Sequence, residues 1–160
     1  MTDLREFMRR VPQCVTVVTT FDGSRPHGMT VSSFTSVSLD PQLVLIVLEK
    51  TTQTCRNVLE TKRFCVNLLS EKQAAVSDLF AYAPHDDRFE KVKYRVENGI
   101  YPVIEGAVAT LFCEVHHHVE AATHNIILGQ VKSIKILTDE QPLVYFQRQY
   151  YRPAKIMESA

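Results

Sequence analysis

The sequence predicts a mainly β protein whose strands close into a barrel, with helices at its periphery. After Pro12 the apolar residues fall in six or seven short runs that are rich in valine, isoleucine and threonine and are separated by turn residues. We expect these strands to pair mostly antiparallel, with three helical stretches inserted between them. Closure into a barrel is the economical arrangement because it removes exposed strand edges.

The first part of the chain predicts one helix followed by strands. A short amphipathic helix that packs on the body is predicted by apolar residues at helical spacing: Leu4, Phe7, Met8 and Val11. Residues 15–21 predict a strand, and the Asp22-Gly23 pair after them is typical of a hairpin turn. A second strand is expected around residues 27–36. Pro41 then interrupts the chain before a buried strand at residues 43–48.

The second part alternates helices with strands before a β-rich end. Residues 51–60 predict a helix and residues 63–69 a strand. The sequence Ser70-Glu71-Lys72-Gln73 matches a capping box, which predicts a helix that runs to about Tyr82. The polar residues 84–99 are expected to form a loop, and three closing β segments are expected at 107–119, 125–136 and 143–150. No linker interrupts the pattern, so we expect one domain over residues 1–160.

Charge and hydropathy exclude some classes of function. Eighteen basic residues balance eighteen acidic ones in the 160-residue chain, so no basic surplus favours nucleic acid or an anionic membrane. The first residues lack the apolar run of a secretory signal, and the longest uncharged apolar stretch, residues 43–48, is too short to cross a bilayer. We therefore expect a cytoplasmic protein with no membrane partner.

The cysteines and the histidine run do not predict a metal site. No C-x-x-C pair occurs among the four cysteines, which we expect to be free structural thiols: Cys14, Cys55, Cys65 and Cys113. In the run of residues 116–118, neighbouring side chains on a strand point to opposite faces, so only His116 and His118 share a face. No third ligand is spaced to join them, and we expect no metal.

One continuous stretch of the sequence resembles a known family. The stretch is Arg25-Pro26-His27-Gly28-Met29-Thr30-Val31-Ser32-Ser33-Phe34-Thr35-Ser36-Val37-Ser38-Leu39-Asp40-Pro41. Supporting blocks follow in the same order at residues 63–67, 87–89, 142–146 and 150–152. Over about residues 9–152 the chain resembles the flavin reductase family of the FMN-binding split barrel, which includes reductase components of two-component aromatic monooxygenases. The resemblance implies a closed, Greek-key-like split β-barrel and a homodimer with the flavin cleft at its interface.

The resemblance implies flavin contacts from two segments. The first is Thr30-Val31-Ser32-Ser33, which would lie along the isoalloxazine ring, with Gly28 allowing close passage. Its alternative is an ordinary strand with outward Thr30 and Ser32. The second is a helix start whose N–H groups and side chains suit the FMN phosphate: Lys50, Thr51, Gln53 and Thr54, with Arg56 as a further source of charge. Its alternative is plain N-capping by Thr51 or Thr52. The family often has arginine where Gln53 stands.

Five further positions complete the predicted site. The resemblance places Arg88 near the flavin tail and Phe89 against the site; the alternative is a solvated charge run anchored by Phe89. It also implies that His124 faces the nicotinamide side of the flavin, with Tyr150 or Arg152 nearby, although the aspartate that commonly precedes this histidine is Thr123 here. The alternative is an exposed turn histidine. The role of His27 stays open.

The implied reaction is hydride transfer from NADH or NADPH to N5 of FMN, with FAD as a possible second flavin. The sequence lacks a G-x-G-x-x-G fingerprint, so the nicotinamide is expected to bind in a cleft over the flavin. Reduced flavin would pass to a partner oxygenase or to another acceptor. Two other functions remain open: a non-catalytic FMN-binding electron carrier reduced by a protein partner, and a barrel that uses its fold for assembly without flavin.

Overall fold

The computed structural model describes residues 3–157. Within that range the chain forms three α-helices, one 3₁₀ helix and twelve strands. Their bounds are α1 Leu4–Met8, β1 Gln13–Cys14, β2 Thr16–Phe21, β3 Pro26–Val31, β4 Phe34–Leu39, β5 Gln42–Glu49, α2 Gln53–Thr61, β6 Arg63–Leu68, α3 Ala74–Tyr82, the 3₁₀ helix His85–Lys91, β7 Tyr94–Glu97, β8 Tyr101–Ile104, β9 Ala109–Ala121, β10 His124–Ile136, β11 Val144–Phe146 and β12 Gln149–Tyr151. The prediction of a mainly β protein is confirmed.

One antiparallel sheet of seven strands dominates the molecule, in the order β3-β2-β6-β9-β10-β5-β4. Its two edges, β3 and β4, follow one another in the chain and are separated only by Ser32 and Ser33. In a flat sheet these edges would lie about 29 Å apart, at about 4.8 Å per strand. A two-residue connection reaches only about 11 Å. The sheet must therefore curl until its edges approach each other.

The predicted closure of the barrel is not confirmed. Among residues 3–157 no ladder of backbone hydrogen bonds joins β3 to β4, so the sheet is open in its pairing. The prediction of a single strand at residues 27–36 is also wrong, because the chain leaves edge strand β3 and enters edge strand β4 at Ser32-Ser33. The turn is tight: the N–H of Phe34 donates to the carbonyl of Ser32 at 3.1 Å. Small hydroxyl residues suit such a turn.

The main core fills the inside of the curled sheet. It contains apolar side chains from β2, β5, β6 and β10, closed on one side by Cys55 and Val58 of α2. A second cluster lies on the outer face of β2, where Val15 and Val17 pack against Phe80 of α3. Strand β2 is thus covered on both faces, which explains why its residues from Thr16 to Thr20 are all buried.

Several local predictions need correction. Helix α1 forms, but Leu4 is 73% and Phe7 65% exposed, so the predicted packing of these side chains on the body is wrong. The polar segment predicted as a loop contains the 3₁₀ helix and β7, which pairs with the unpredicted β8. The final β segment is a β11–β12 hairpin in a separate small sheet with β1. At the capping box, Gln73 Oε1 does accept from the N–H of Ser70 at 3.0 Å, but the helix begins at Ala74.

The cysteines agree with the prediction of free thiols. Cys55, Cys65 and Cys113 are buried and Cys14 is half-buried, all unbridged. Burial raises the pKa of the Cys65 and Cys113 thiols to about 12, so both are protonated at neutral pH. Across residues 3–157, none of the helices has the length and apolar character needed to cross a bilayer.

Candidate functional site

The Thr30–Ser33 segment crosses from one edge of the sheet to the other at the surface. Thr30 Oγ1 donates to the carbonyl of Ser77 in α3 at 2.7 Å, and Val31 is buried in the main core. Ser33 Oγ donates to the carbonyl of Val47 in β5 at 2.8 Å. Ser32 is exposed. The segment is therefore held at both ends and leaves a hydroxyl and backbone facing solvent between them.

A cleft of about 160 Å³ opens beside this segment. Its lining residues are Gln13, Val15, Thr30, Ser32, Ser77, Ala81, Tyr82, Tyr145 and Tyr150. The hydroxyl of Tyr150 donates to Asp78 Oδ1 at 2.6 Å and lies 2.8 Å from Ser77 Oγ. Burial, together with the hydrogen bond to Asp78, raises the pKa of Tyr150 to about 12. Tyr150 is thus a fixed, neutral wall of the cleft.

Helix α2 begins with an incompletely satisfied first turn. Thr52 is the N-cap, and its Oγ1 accepts from the N–H of Cys55 at 3.2 Å, so the capping alternative is confirmed for this residue. Thr54 is only 1% exposed, yet its Oγ1 has no hydrogen-bond partner among the described residues. The first N–H groups of a helix lack intrahelical acceptors and carry a partial positive charge. This end of α2 suits an anion that brings several acceptor oxygens, as the phosphate of FMN does.

His124 lies beside this helix start. It begins β10, where it pairs with Glu49 at the end of β5, and the N–H of Lys50 donates to the carbonyl of Thr123 at 3.1 Å. The His124 ring is half-buried, with Nδ1 2.8 Å from Thr123 Oγ1. The fold therefore brings the residues predicted for the phosphate and the nicotinamide to one end of the sheet.

Some of the charged and polar side chains at this end of the sheet already have partners within the chain. Lys50 Nζ donates to Glu120 Oε1 at 2.6 Å, which lowers the pKa of that carboxyl. Thr51 Oγ1 makes a long contact of 3.5 Å to Glu49, and Gln53 is exposed at the first helical position. An exposed ion pair such as that of Lys50 contributes at most about 1 kcal/mol, so the ammonium is free to turn toward another anion.

Arg88 and Phe89 contact the strand that leads into Thr30–Ser33. Arg88 donates from Nε to the carbonyl of Ala83 at 3.0 Å and from Nη1 to the carbonyl of Gly28 at 2.7 Å. Burial lowers the pKa of the Arg88 guanidinium. The Phe89 ring packs edge-on against Phe80, with centroids 5.0 Å apart. The alternative of a solvated charge run is wrong for Arg88, which ties the 3₁₀ helix to β3.

The structure does not bring every predicted residue together within one chain. Arg152 Nη1 donates to Glu71 Oε2 at 3.2 Å in a neighbouring cleft, which Tyr150 also lines. None of the contacts made by the described residues joins Arg152 or Tyr150 to His124. The expected nearness of these side chains therefore stays a prediction that a second chain would have to satisfy.

Other residues at the site escaped the sequence interpretation. Ser77 is buried and anchors both Thr30 and Tyr150, but a serine within a helical pattern gives no sign of this role. His27, whose role was open, is buried in contact with Asp22 and His85. His116, His117 and His118 are exposed on β9, and in the described part of the chain no group of three metal-ligating side chains is found.

Comparisons with known proteins agree with this geometry. Residues 8–154 match the model of the flavin reductase like domain. The chain is 33% identical over 147 residues to a flavin reductase of Pseudomonas putida, covering 91% of this chain and 86% of that protein. It is 36% identical over 154 residues to the reductase component of a flavin-dependent trigonelline monooxygenase of Acinetobacter baylyi, covering 96% of this chain and 49% of that protein, so it spans about half of that relative.

A solved structure gives the same result. The NADH:FAD oxidoreductase SgcE6 of Streptomyces globisporus, in complex with NAD and FAD fragments, superposes with a TM-score of 0.89 at 34% identity. The alignment covers 97% of this chain and 93% of that one. The chain belongs to the flavin reductase like family, and the resemblance predicted from the sequence is confirmed.

Proposed function

We propose that the protein is an NAD(P)H-dependent flavin reductase that transfers a hydride from NADH or NADPH to FMN. The observation that carries this proposal is the buried, unpartnered Oγ1 of Thr54 at the start of α2. Leaving a buried hydroxyl without a partner costs about 1–3 kcal/mol, a cost that a phosphate oxygen at this point removes. Family membership supplies the flavin as the phosphate-bearing ligand.

Different segments of the chain contact the phosphate and the ring of the cofactor. Lys50, Thr51, Gln53 and Thr54 hold the phosphate, and Thr30–Ser33 lies along the ring with its backbone and hydroxyl groups. Bound FMN supplies the hydride acceptor. Arg88 and Phe89 support the ring indirectly, because they hold β3 in place at Gly28. We assign FMN as the preferred flavin and FAD as an alternative, because one terminal phosphate satisfies the helix start.

The protein's own contribution to hydride transfer is positioning. The nicotinamide C4 must lie within roughly 3–3.5 Å of the acceptor atom, in a cleft from which water is excluded. His124 is half-buried at the correct end of the sheet to contact the nicotinamide carboxamide. Because hydride transfer from the nicotinamide releases no proton, the step needs no catalytic acid.

Replacing His124 by alanine tests this positioning role. One hydrogen bond to the carboxamide contributes about 0.5–1.5 kcal/mol, so kcat/KM for the nicotinamide should fall about two- to tenfold. FMN affinity should change little, because other residues bind the flavin. Steady-state kinetics with matched flavin titrations give both values, and His117→Ala, on the exposed part of β9, serves as the control. A thousandfold loss in kcat would instead indicate direct chemistry.

We further propose that the protein is a homodimer in which the curled sheet of each chain forms a closed split barrel. Exposed apolar side chains on α1 and at the end of β10 support an interface between copies: Leu4, Phe7, Ile134 and Ile136. Light scattering should give a mass near twice the 18.3 kDa of the chain. A fully active species of single-chain mass would contradict the dimer.

We propose that a partner oxygenase accepts the reduced flavin. We also propose that the protein is located in the cytoplasm, which contains a nicotinamide pool. The Acinetobacter relative, a monooxygenase reductase component, supports this acceptor.

One experiment tests the function as a whole. The purified protein is titrated with FMN and followed by its absorbance, and NADH and NADPH oxidation is then measured with FMN, FAD and riboflavin. We expect flavin-dependent oxidation of at least one nicotinamide. Tight FMN binding with negligible oxidation of either nicotinamide would support the alternative function of an FMN-binding electron carrier. A protein without flavin affinity would contradict both the reductase and the electron carrier.

A further inference from the structure

A cleft that the proposed flavin site does not use lies between helix α1 and the β11–β12 hairpin. We call it the α1 cleft; its volume is about 270 Å³, and its half-buried apolar lining includes Val11, Tyr145 and Phe146. Both rings are in contact with rings of β12: the ring centroids of Tyr145 and Tyr150 are 5.3 Å apart, and those of Phe146 and Tyr151 are 6.0 Å apart. Such a fixed aromatic surface suits the flat face of another ring.

Positive charge exceeds negative charge around the α1 cleft. Both carboxylates of this segment are paired with arginine: Asp3 with Arg5 at 3.0 Å and Glu6 with Arg10 at 3.8 Å. Arg9 and Arg148 also line the cleft, and among residues 3–157 neither guanidinium has a carboxylate or carbonyl partner. Guanidinium groups form bidentate hydrogen bonds with phosphate. The cleft therefore suits an anion that carries more than one negative charge.

The turn that carries Arg148 is strained. Gln147 and Arg148 form the two-residue loop of the β11–β12 hairpin, with φ angles of 47° and 63°. Glycine or asparagine is usual in such a loop, because a larger side chain is disfavoured in the left-handed region. The N–H of Gln147 donates to the carbonyl of Arg9 at 3.1 Å, which ties the turn to the end of α1. An arginine kept in this conformation at a cleft points to a role in binding.

Two glutamines at the α1 cleft offer contacts to a base. Gln13 and Gln147 line the cleft, and neither side-chain amide is hydrogen-bonded within the described part of the chain. A glutamine amide presents a donor beside an acceptor, which matches the N6 amino group and N7 of adenine. The aromatic lining, the amides and the arginines together match the base and the phosphates of one ligand class.

We propose that the α1 cleft binds an adenine nucleotide, with the base against Tyr145 and the phosphates on Arg9 and Arg148. Pockets for drug-sized ligands begin at about 300 Å³, so an open cleft slightly below that volume suits one nucleotide unit and not a whole dinucleotide. The residues that we propose for the dimer interface on α1, Leu4 and Phe7, do not line the cleft. This site does not rest on the proposed function.

The adenosine phosphate can come from two sources. One is a free nucleotide. The other is the adenosine diphosphate part of the nicotinamide cofactor, because Gln13 and Tyr145 line both the α1 cleft and the cleft beside Thr30–Ser33. A cofactor whose nicotinamide lies over the flavin would then extend from one cleft into the other.

Calorimetric titration with ADP tests the site. Saturating FMN is present, so that under the proposed function the phosphate site at the start of α2 is already filled. We expect one ADP per chain, with the dissociation constant about three- to fivefold higher in Arg9→Gln and in Arg148→Gln and about ten- to twentyfold higher in the double variant. Adenosine, which lacks phosphate, should bind the wild type and the variants alike.

Arg95→Gln is the matched control, because it removes the same charge from an exposed arginine on β7, away from the α1 cleft. Its affinity for ADP should equal that of the wild type. Absence of ADP binding to the wild type, or equal affinity of the wild type and the double variant, would overturn the proposal.

Replacing Arg148 by glycine separates binding from folding. Glycine removes the guanidinium and also relieves the left-handed turn, so ADP affinity should fall as in Arg148→Gln while Tm stays unchanged or rises. A lower Tm accompanying the loss of affinity would attribute that loss to damaged structure and contradict the role of the guanidinium. Thermal unfolding without ligand gives the Tm of each variant.

Inhibition of NADH oxidation by ADP distinguishes the two sources. Competition with NADH that is lost in the double variant assigns the cleft to the nicotinamide cofactor, and ADP binding without competition assigns it to a free nucleotide. If the protein neither binds FMN nor oxidises NADH, the proposed function fails. The ADP titrations of the flavin-free wild type and variants still decide the nucleotide site in that case.

Discussion

Replacing Thr54 by valine should weaken FMN binding about ten- to hundredfold and leave riboflavin binding unchanged. Valine keeps the shape of threonine but removes Oγ1, which is buried without a partner among the described residues. A hydrogen bond to a charged group contributes about 1.5–3 kcal/mol, and riboflavin lacks the phosphate that would accept it. The flavin-free variant should be as stable as the wild type or slightly more so, because no existing hydrogen bond is lost. Fluorescence titration with both flavins and thermal unfolding measure these effects.

A second buried threonine is the matched control. Thr110 is equally buried, but its Oγ1 lies 2.7 Å from Cys65 Sγ, near the opposite end of β9 from Ala121, which pairs with His124 beside the α2 start. Thr110→Val should therefore lower stability and leave the ratio of FMN to riboflavin affinity unchanged, the opposite pattern. Equal losses of both flavins in Thr54→Val would show that the phosphate binds elsewhere.

The elements that local patterns predicted are those whose side chains repeat with a clear period or form a continuous apolar run. Strands β2, β5 and β6 and helix α2 lie within a few residues of their predicted bounds. Strand β8 was missed because it has four residues and contains Pro102, which argues against a strand. Distant polar groups hold it: Thr19 Oγ1 donates to the carbonyl of Pro102 at 2.6 Å, and Asn67 Oδ1 accepts from the N–H of Ile104 at 3.0 Å.

The site was predicted in parts. The start of α2 has a local pattern, a buried strand followed by polar residues and a helix, but this pattern alone also fits plain N-capping, and only the family resemblance indicated an anion site. The contacts of Arg88 with Gly28 and of His85 with His27 join residues about 60 positions apart, and no local pattern encodes them. The break at Ser32-Ser33 was missed because no glycine or proline marks it; the only local sign is that the apolar alternation of Met29 and Val31 shifts by one residue at Phe34.

Replacing Gly129 by alanine should destabilise the protein by about 3 kcal/mol, the largest stability effect we expect. Gly129 lies on β10 where the β9–β10 register shifts, and a Cβ there would overlap the ring of Phe64 and lie 3.1 Å from Cβ of Cys113. Phe64 is fully buried and has no space to retreat. Overpacking a filled core costs about 1–3 kcal/mol, which lowers Tm by roughly 10 °C at this chain length.

The reason for this cost is the curl of the sheet. Phe64 on β6 reaches past β9 to the backbone of β10, and only glycine at position 129 leaves room for its ring inside the curled sheet. Gly28→Ala is the graded control, since its Cβ meets side-chain atoms of Phe80, Phe89 and Thr19 at 3.0–3.2 Å and should cost about 1 kcal/mol. Shortening the obstructing ring should relieve the clash, so Phe64→Leu combined with Gly129→Ala should lose less stability than the two single changes added together. Strict additivity in chemical denaturation would show that Phe64 is not what excludes a side chain at Gly129.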